Sequence, residues 1–132
     1  MHLGVSWAML AAAAAGIGVG AVWYAIFAEA VGRAREKVRS STLIWGVAVA
    51  ANLLIAFVLG NLMQMFEITG WVFGLIFAFL FWLGFTTPVL VMNNALAGRP
   101  LTLSVIEGGH ALLNICLQGV ILASFNVGAS GY

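Results

Sequence analysis

The fold of this chain is decided by an unbroken apolar stretch at residues 70–92, which reads GWVFGLIFAFLFWLGFTTPVLVM. It has no charged residue, and it is longer than the roughly 20 residues that an α-helix needs to cross a hydrocarbon core of about 30 Å. Three similar stretches occupy residues 5–28, 42–63 and 105–125. All four are too long and too uniformly apolar for strands of a membrane barrel, and a helix satisfies its own backbone hydrogen bonds in lipid. The sequence therefore predicts an all-α integral membrane protein, a four-helix bundle.

Composition points the same way. Of the 132 residues, 64% are hydrophobic and 7% are charged, which lies outside the usual range of soluble domains. Four spans leave little chain for anything else, so we expect residues 1–132 to form a single transmembrane domain. The first run lacks a basic start and is longer than the apolar part of a signal peptide, so we expect it to remain in the mature protein. The net charge of +1 gives no reason to expect nucleic-acid binding.

Basic residues are confined to two of the gaps between the apolar runs. They are Arg33, Arg35, Lys37 and Arg39 in the first gap, and Arg99 in the third. The positive-inside rule places both gaps in the cytoplasm. We therefore expect a bacterial inner-membrane protein with both termini outside. The basic gaps either bind anionic lipid headgroups, at about 1 kcal/mol per residue, or only set the topology.

Two pairs of glycines have the spacing that allows helices to approach closely in lipid. Gly16 and Gly20 form a GxxxG pair in the first run, and Gly70 and Gly74 form another at the start of the third. Such pairs occur where membrane helices pack with their backbones close together. We expect them to serve either packing within the chain or a dimer interface.

The fourth run carries polar residues at helical spacing. They are Ser104, Glu107, His110, Asn114 and Gln118, and at 100° per residue they fall within a stripe about 120° wide. Polar groups are costly in lipid, so this polar stripe should face protein. The possible stripe partners on other runs are Asn52, Thr86, Thr87 and Asn93.

Two interpretations of the polar stripe remain open. In one, Ser104 and Glu107 form a capping box at the start of the helix, and His110 and Asn114 hydrogen-bond to the second or third span. In the other, Glu107 and His110 form a proton relay or a ligand pair. The Thr86–Thr87–Pro88 sequence also predicts a kink in the third span, and Trp82, in the middle of that span, should face protein.

Several segments form an ordered set, which consists of residues 20–27, Trp82 to Pro88, Asn93–Asn94, Gly98 to Pro100, Gly109–His110 and residues 119–122. Together they resemble the bacterial four-span family catalogued as domain of unknown function 1761. The resemblance covers most of the chain, and its most specific part runs from Trp82 to His110. It implies a small membrane protein with four helices and brings no established activity. The first basic gap departs from the family pattern, because it looks short and lacks a further aromatic residue after Phe27.

An enzyme is not expected. The chain has no Asp, its only histidines are His2 and His110, and it contains no nucleophile elbow, zinc-protease or phosphate-loop motif. No metal site is expected either. Haem or chlorophyll ligation by His110 is a minor alternative, since Gly108, Gly109 and Ala111 leave room for a flat ring.

Two classes of function remain. The first is a structural or accessory subunit that acts by helix packing, as a homo-oligomer or within a larger membrane complex. The second is an oligomeric transporter or channel for protons or small solutes. The polar stripe must line a wet cavity in the transport interpretation, whereas the glycine faces must contact a partner in the subunit interpretation.

Overall fold

The computed structural model describes residues 7–27 and 41–125, and this part of the chain folds into four long helices. They are α1 (Trp7–Ile26), α2 (Ser41–Met65), α3 (Trp71–Leu96) and α4 (Leu101–Phe125). Each is long and apolar enough to cross a membrane. The predicted all-α, four-span fold is confirmed. At the last connection the helices extend beyond the apolar runs, since α3 continues four residues past Met92 and α4 begins four residues before Val105, at Leu101.

The fourth helix is the centre of the molecule. Helices α1 and α2 contact each other and α4, while α3 packs chiefly on α4. The bundle has two ends, which we call the Arg99 end, where α1 finishes and α4 begins, and the Gly70 end, where α2 finishes and α3 begins. Residues Arg33, Arg35, Lys37 and Arg39, predicted to set the topology, lie outside the described residues.

Helices α3 and α4 touch at two glycines. A Cβ atom added to Gly74 would lie 2.5 Å from the carbonyl oxygen of Gly119, and one added to Gly119 would lie 2.6 Å from the Cβ of Ala78. No side chain fits at either position without separating the helices. The prediction that Gly74 packs against another helix is confirmed.

Gly70 has a different role from the one predicted. No atom lies within 4 Å of a Cβ added there, so the prediction that Gly70 belongs to a packing face was wrong. The residue precedes α3 with a φ of 85°, a conformation that favours glycine. Its N–H donates to the carbonyl of Ala123 over 3.0 Å, which ties the turn to the end of α4.

The larger of the two apolar clusters lies toward the Gly70 end, between α1, α2 and α4. Its buried members are Met9, Ala12, Ala13, Ala56, Leu59, Met63, Leu122 and Ala123. The first part of α2 does not join this core, since every residue from 42 to 51 is at least partly exposed. The described helices are therefore tightly packed at the Gly70 end and leave one side of α2 uncovered toward the Arg99 end.

The middle of α3 contains a π-helical turn at Trp82–Thr86. The N–H of Thr87 donates to the carbonyl of Trp82, five residues earlier. Pro88 has no N–H to donate, so the regular pattern has to change nearby, and one turn of π-helix is a common way for a helix to do so. The interruption predicted at Thr86–Pro88 thus takes the form of a wider turn just before the proline.

Candidate functional site on the polar face of the fourth helix

Three amide side chains form a buried network between α2 and α4. Asn114 Nδ2 and Gln118 Nε2 each donate to Asn52 Oδ1 over 3.0 Å, and Gln118 Nε2 also lies 2.8 Å from Asn114 Oδ1. The exposed fraction of all three residues is below 10%. Asn52 Nδ2 in turn donates to the carbonyl of Ala48 within α2 over 2.8 Å. The predicted bond between Asn114 and Asn52 is confirmed, and we call these three residues the amide network.

Gly16 makes the amide network possible. A Cβ added there would lie 2.5 Å from Gln118 Nε2 and closer still to the side-chain oxygens of Asn52 and Asn114. Only a glycine on α1 lets the amides sit against its backbone. Gly20, one turn further on, similarly faces the His110 ring, with an added Cβ 3.1 Å from Nε2. This GxxxG pair therefore packs within the chain, on α4.

A second polar cluster closes the Arg99 end between α3 and α4. Asn94 Nδ2 donates to Ser104 Oγ over 3.0 Å and to Glu107 Oε1 over 2.8 Å, and Arg99 Nη1 donates to Asn94 Oδ1 over 3.1 Å. Asn94 is almost fully buried. The predicted stripe partner was its neighbour Asn93, which was wrong. Asn93 is exposed, because one step along the helix turns its side chain away from α4.

The capping box predicted at Ser104 and Glu107 was also wrong. The helix begins just after Pro100, at Leu101, so Ser104 lies inside it. Both side chains accept hydrogen bonds from Asn94 across the bundle. They join α3 to α4.

His110 lies on the polar stripe, but its partners differ from those predicted. Its ring packs on Tyr24 of α1, with the ring centres 4.9 Å apart. Its Nε2 is buried and has no hydrogen-bond partner among the described residues. The predicted bonds from His110 to Asn52, Thr86 or Thr87 are absent, and the buried Thr87 hydroxyl has no partner within the described part of the chain either.

Two indole N–H groups hold α4 from opposite sides. Trp23 Nε1 of α1 donates to the carbonyl of Ile106, and Trp82 Nε1 of α3 donates to the carbonyl of Gly108, both over 2.9 Å. The prediction that Trp82 faces protein is confirmed. The hydrogen bond of Trp23 was not predicted from the sequence. The only sequence signal for it is Gly109, because a Cβ at that position would lie 2.8 Å from the Trp23 ring. The sequence suggested that a flat cofactor could lie beside Gly109, and in the structure the Trp23 indole lies there.

A cavity of about 770 Å³ lies between α1, α2 and α4. Its polar lining comes from Asn52, Asn114, His110, Thr86 and the rings of Tyr24 and Trp45. The rest is small or aliphatic, with Gly16, Ile17, Gly20, Ala21, Ile44, Ala48, Ala51, Ile55, Ala111 and Ile115. No Lys, Arg, Asp or Glu lines the cavity as described. Glu107, the other half of the predicted relay, is not among the lining residues.

The chain belongs to the family described as Protein of unknown function (DUF1761), whose model matches residues 7–123. This confirms the resemblance seen in the sequence. No curated protein and no solved structure matches the chain significantly.

Proposed function

We propose that this family member is a structural or accessory membrane subunit that acts by helix packing and has no catalytic chemistry of its own. One observation carries the proposal: four of the five stripe residues hydrogen-bond to side chains of neighbouring helices. Asn114 and Gln118 bind Asn52, while Ser104 and Glu107 bind Asn94. Polar groups engaged in this way fix the relative positions of helices, so these four residues need no substrate to explain them.

The surface for a partner is proposed on α2. The glycines of the two GxxxG pairs do not supply it, because Gly16, Gly20 and Gly74 face α4 of the same chain. On α2, Gly46, Ala50, Leu53 and Phe57 recur at spacings of four, three and four and are all exposed. At 100° per residue this face points away from the cavity. We call it the Gly46 face.

Small residues on the Gly46 face support close approach by a second helix. A Cβ added to Gly46 meets nothing within 4 Å, and Ala50 follows one turn later. In membranes, such small-xxx-small pairs allow van der Waals contact between helix backbones. A second copy of the chain, or a helix of a larger complex, fits this face.

Substitution on the Gly46 face tests the subunit proposal. A Gly46→Leu, Ala50→Leu double variant should lose its oligomer or its co-purifying chain in mild detergent, as measured by cross-linking in membranes followed by purification. Gly18→Leu on α1 is the matched control, because Gly18 is also exposed with nothing within 4 Å of an added Cβ. A wild-type chain that is monomeric and partner-free in membranes would refute the proposal.

An oligomeric transporter or channel for protons or small solutes is the second candidate. The observation that favours transport is the cavity. Its lining includes three polar residues of the bundle interior, Asn52, His110 and Asn114. A Glu107→Gln, His110→Phe double variant separates the two candidates. Loss of a robust wild-type flux in liposomes with unchanged assembly supports transport, whereas loss of assembly with no flux in either protein supports packing.

A further inference from the structure

We infer that the cavity between α1, α2 and α4 is a binding site for a neutral amphipathic molecule, one with an apolar body and a hydroxyl or carbonyl group at one end. The site is distinct from the Gly46 face, because the cavity and that face lie on different sides of α2. The inference therefore does not depend on the proposed subunit role.

The size of the cavity is that of a ligand site. Its volume of about 770 Å³ falls within the 300–1,000 Å³ or so that is usual for pockets holding small molecules. Such pockets combine mainly apolar walls with a few polar groups that fix the orientation of the ligand. This cavity has the same composition, with ten small or aliphatic residues among the sixteen that line it.

The charge of the lining selects the class of ligand. No Lys, Arg, Asp or Glu is among the lining residues described, so the lining offers no permanent charge. An anionic or cationic headgroup placed here would have no counter-charge in a low-dielectric environment, which is costly. A neutral polar group needs only hydrogen bonds, and the lining supplies these.

The polar groups also give the ligand a direction. Asn52 lies eleven residues into α2, or about 16 Å along the helix from Ser41 at 1.5 Å per residue. Asn52 and Asn114 line the cavity at this depth, whereas Ile44 and the half-exposed Trp45 line it near the start of α2. The polar end of the ligand therefore points inward.

His110 provides an independent sign that a polar partner belongs here. The residue lines the cavity, and its Nε2, which lies against Gly20 in the cavity wall, is buried with no hydrogen-bond partner in the described part of the protein. Leaving such a nitrogen unpaired is unfavourable, because desolvation is not offset by a new bond. Once the ring turns from Gly20 toward the cavity, a ligand hydroxyl can either donate to this nitrogen or accept from it, and so satisfies both imidazole tautomers.

Photolabelling with a matched set of probes tests the inference. Each probe has an undecyl chain with a mid-chain diazirine and ends in a hydroxyl, a methyl, a sulfonate or a trimethylammonium group. The protein is held in nanodiscs of phosphatidylcholine, and labelled residues are mapped by mass spectrometry. We expect the hydroxyl probe to label cavity residues saturably and about fivefold more than the methyl probe does. This factor corresponds to one hydrogen bond of about 1 kcal/mol. The two charged probes should give the least labelling.

Two neighbouring alanines on α2 give the control pair. Both are exposed, but Ala51 lines the cavity and Ala50 lies on the Gly46 face. Ala51→Phe should abolish saturable labelling, and Ala50→Phe should leave it unchanged while affecting only assembly. His110→Leu should reduce the preference for the hydroxyl probe over the methyl probe.

Three outcomes would overturn the inference. Equal labelling by all four probes would make the cavity a groove for lipid chains. Labelling that is unaffected by Ala51→Phe would place the probe elsewhere. Protection of the cavity by a second copy of the chain in cross-linked dimers would make it an interface.

Discussion

At the scale of single residues, the polar side chains of the bundle act as connectors, and their position within one helical turn decides what they connect. Asn94 shows this most clearly, since its amide joins Ser104, Glu107 and Arg99 at the Arg99 end. Its neighbour Asn93 is the same residue type and is exposed. Two adjacent asparagines on one helix therefore differ in burial because their side chains point in different directions.

Replacing Asn94 should therefore destabilise the protein, and replacing Asn93 should not. Asn94→Ala removes three side-chain hydrogen bonds, and such bonds between membrane helices average about 0.6 kcal/mol each, so we expect a loss of about 1 to 2 kcal/mol. The free energy of unfolding in mixed micelles measures it. Equal effects of Asn93→Ala and Asn94→Ala would contradict the assigned cluster.

The sequence predicted the polar stripe and one of its partners, but not the rest of the network. Spacing alone placed Asn114 and Gln118 on one face of α4, and the depth of Asn52 in its own span made it a partner. Choosing between Asn93 and Asn94 required knowing where α3 ends and how it is rotated, which no local pattern gives. The missing partner of His110 likewise depends on the packing of α1, where Gly20 brings the backbone against the ring.

At the scale of elements, glycines set the distances between helices. The contact of α3 with α4 relies on Gly74 and Gly119, whose backbones meet with no room for a side chain. The GxxxG spacing identified Gly74 but gave the same status to Gly70, whose left-handed backbone serves the turn before α3. A spacing rule detects small residues, and it does not distinguish a packing glycine from a turn glycine.

Alanine substitutions along α3 should separate these roles. Gly74→Ala places a Cβ against the backbone of α4, and we expect a loss of about 1 to 3 kcal/mol, as for other overpacked sites. Gly84→Ala is the control, because nothing lies within 4 Å of an added Cβ there. That change should be neutral or slightly stabilising, since alanine restricts the unfolded chain. Thermal unfolding monitored by circular dichroism would compare the two variants, and similar melting temperatures would argue against the contact.

At the scale of the whole molecule, the charge distribution predicts the orientation of the protein, and α4 is the helix that the other three contact. Each of the four described helices is long and apolar enough to cross a membrane, so residues at the Arg99 end are expected to share one side of the membrane. Arg99 is exposed at that end. The positive-inside rule then favours a cytoplasmic Arg99 end and both termini outside.

Cysteine labelling in intact cells tests this orientation. In a Cys116→Ser background, Arg35→Cys and Ala97→Cys should resist an impermeant maleimide applied from outside until the cells are opened. Thr69→Cys, at the Gly70 end, should react at once and serves as the control for access. Rapid labelling at positions 35 and 97 with protection at 69 would reverse the proposed topology.

The central position of α4 has a further consequence for biosynthesis. It is the last of the four helices to leave the ribosome, yet α1, α2 and α3 all pack against it. Until it arrives, the amides of Asn52 and Asn94 lack the partners that α4 supplies. At 5–20 residues per second, the 25 residues of α4 take about 1 to 5 s to synthesise. We therefore expect the bundle to close only after α4 is made, with the three earlier helices waiting for it in the membrane.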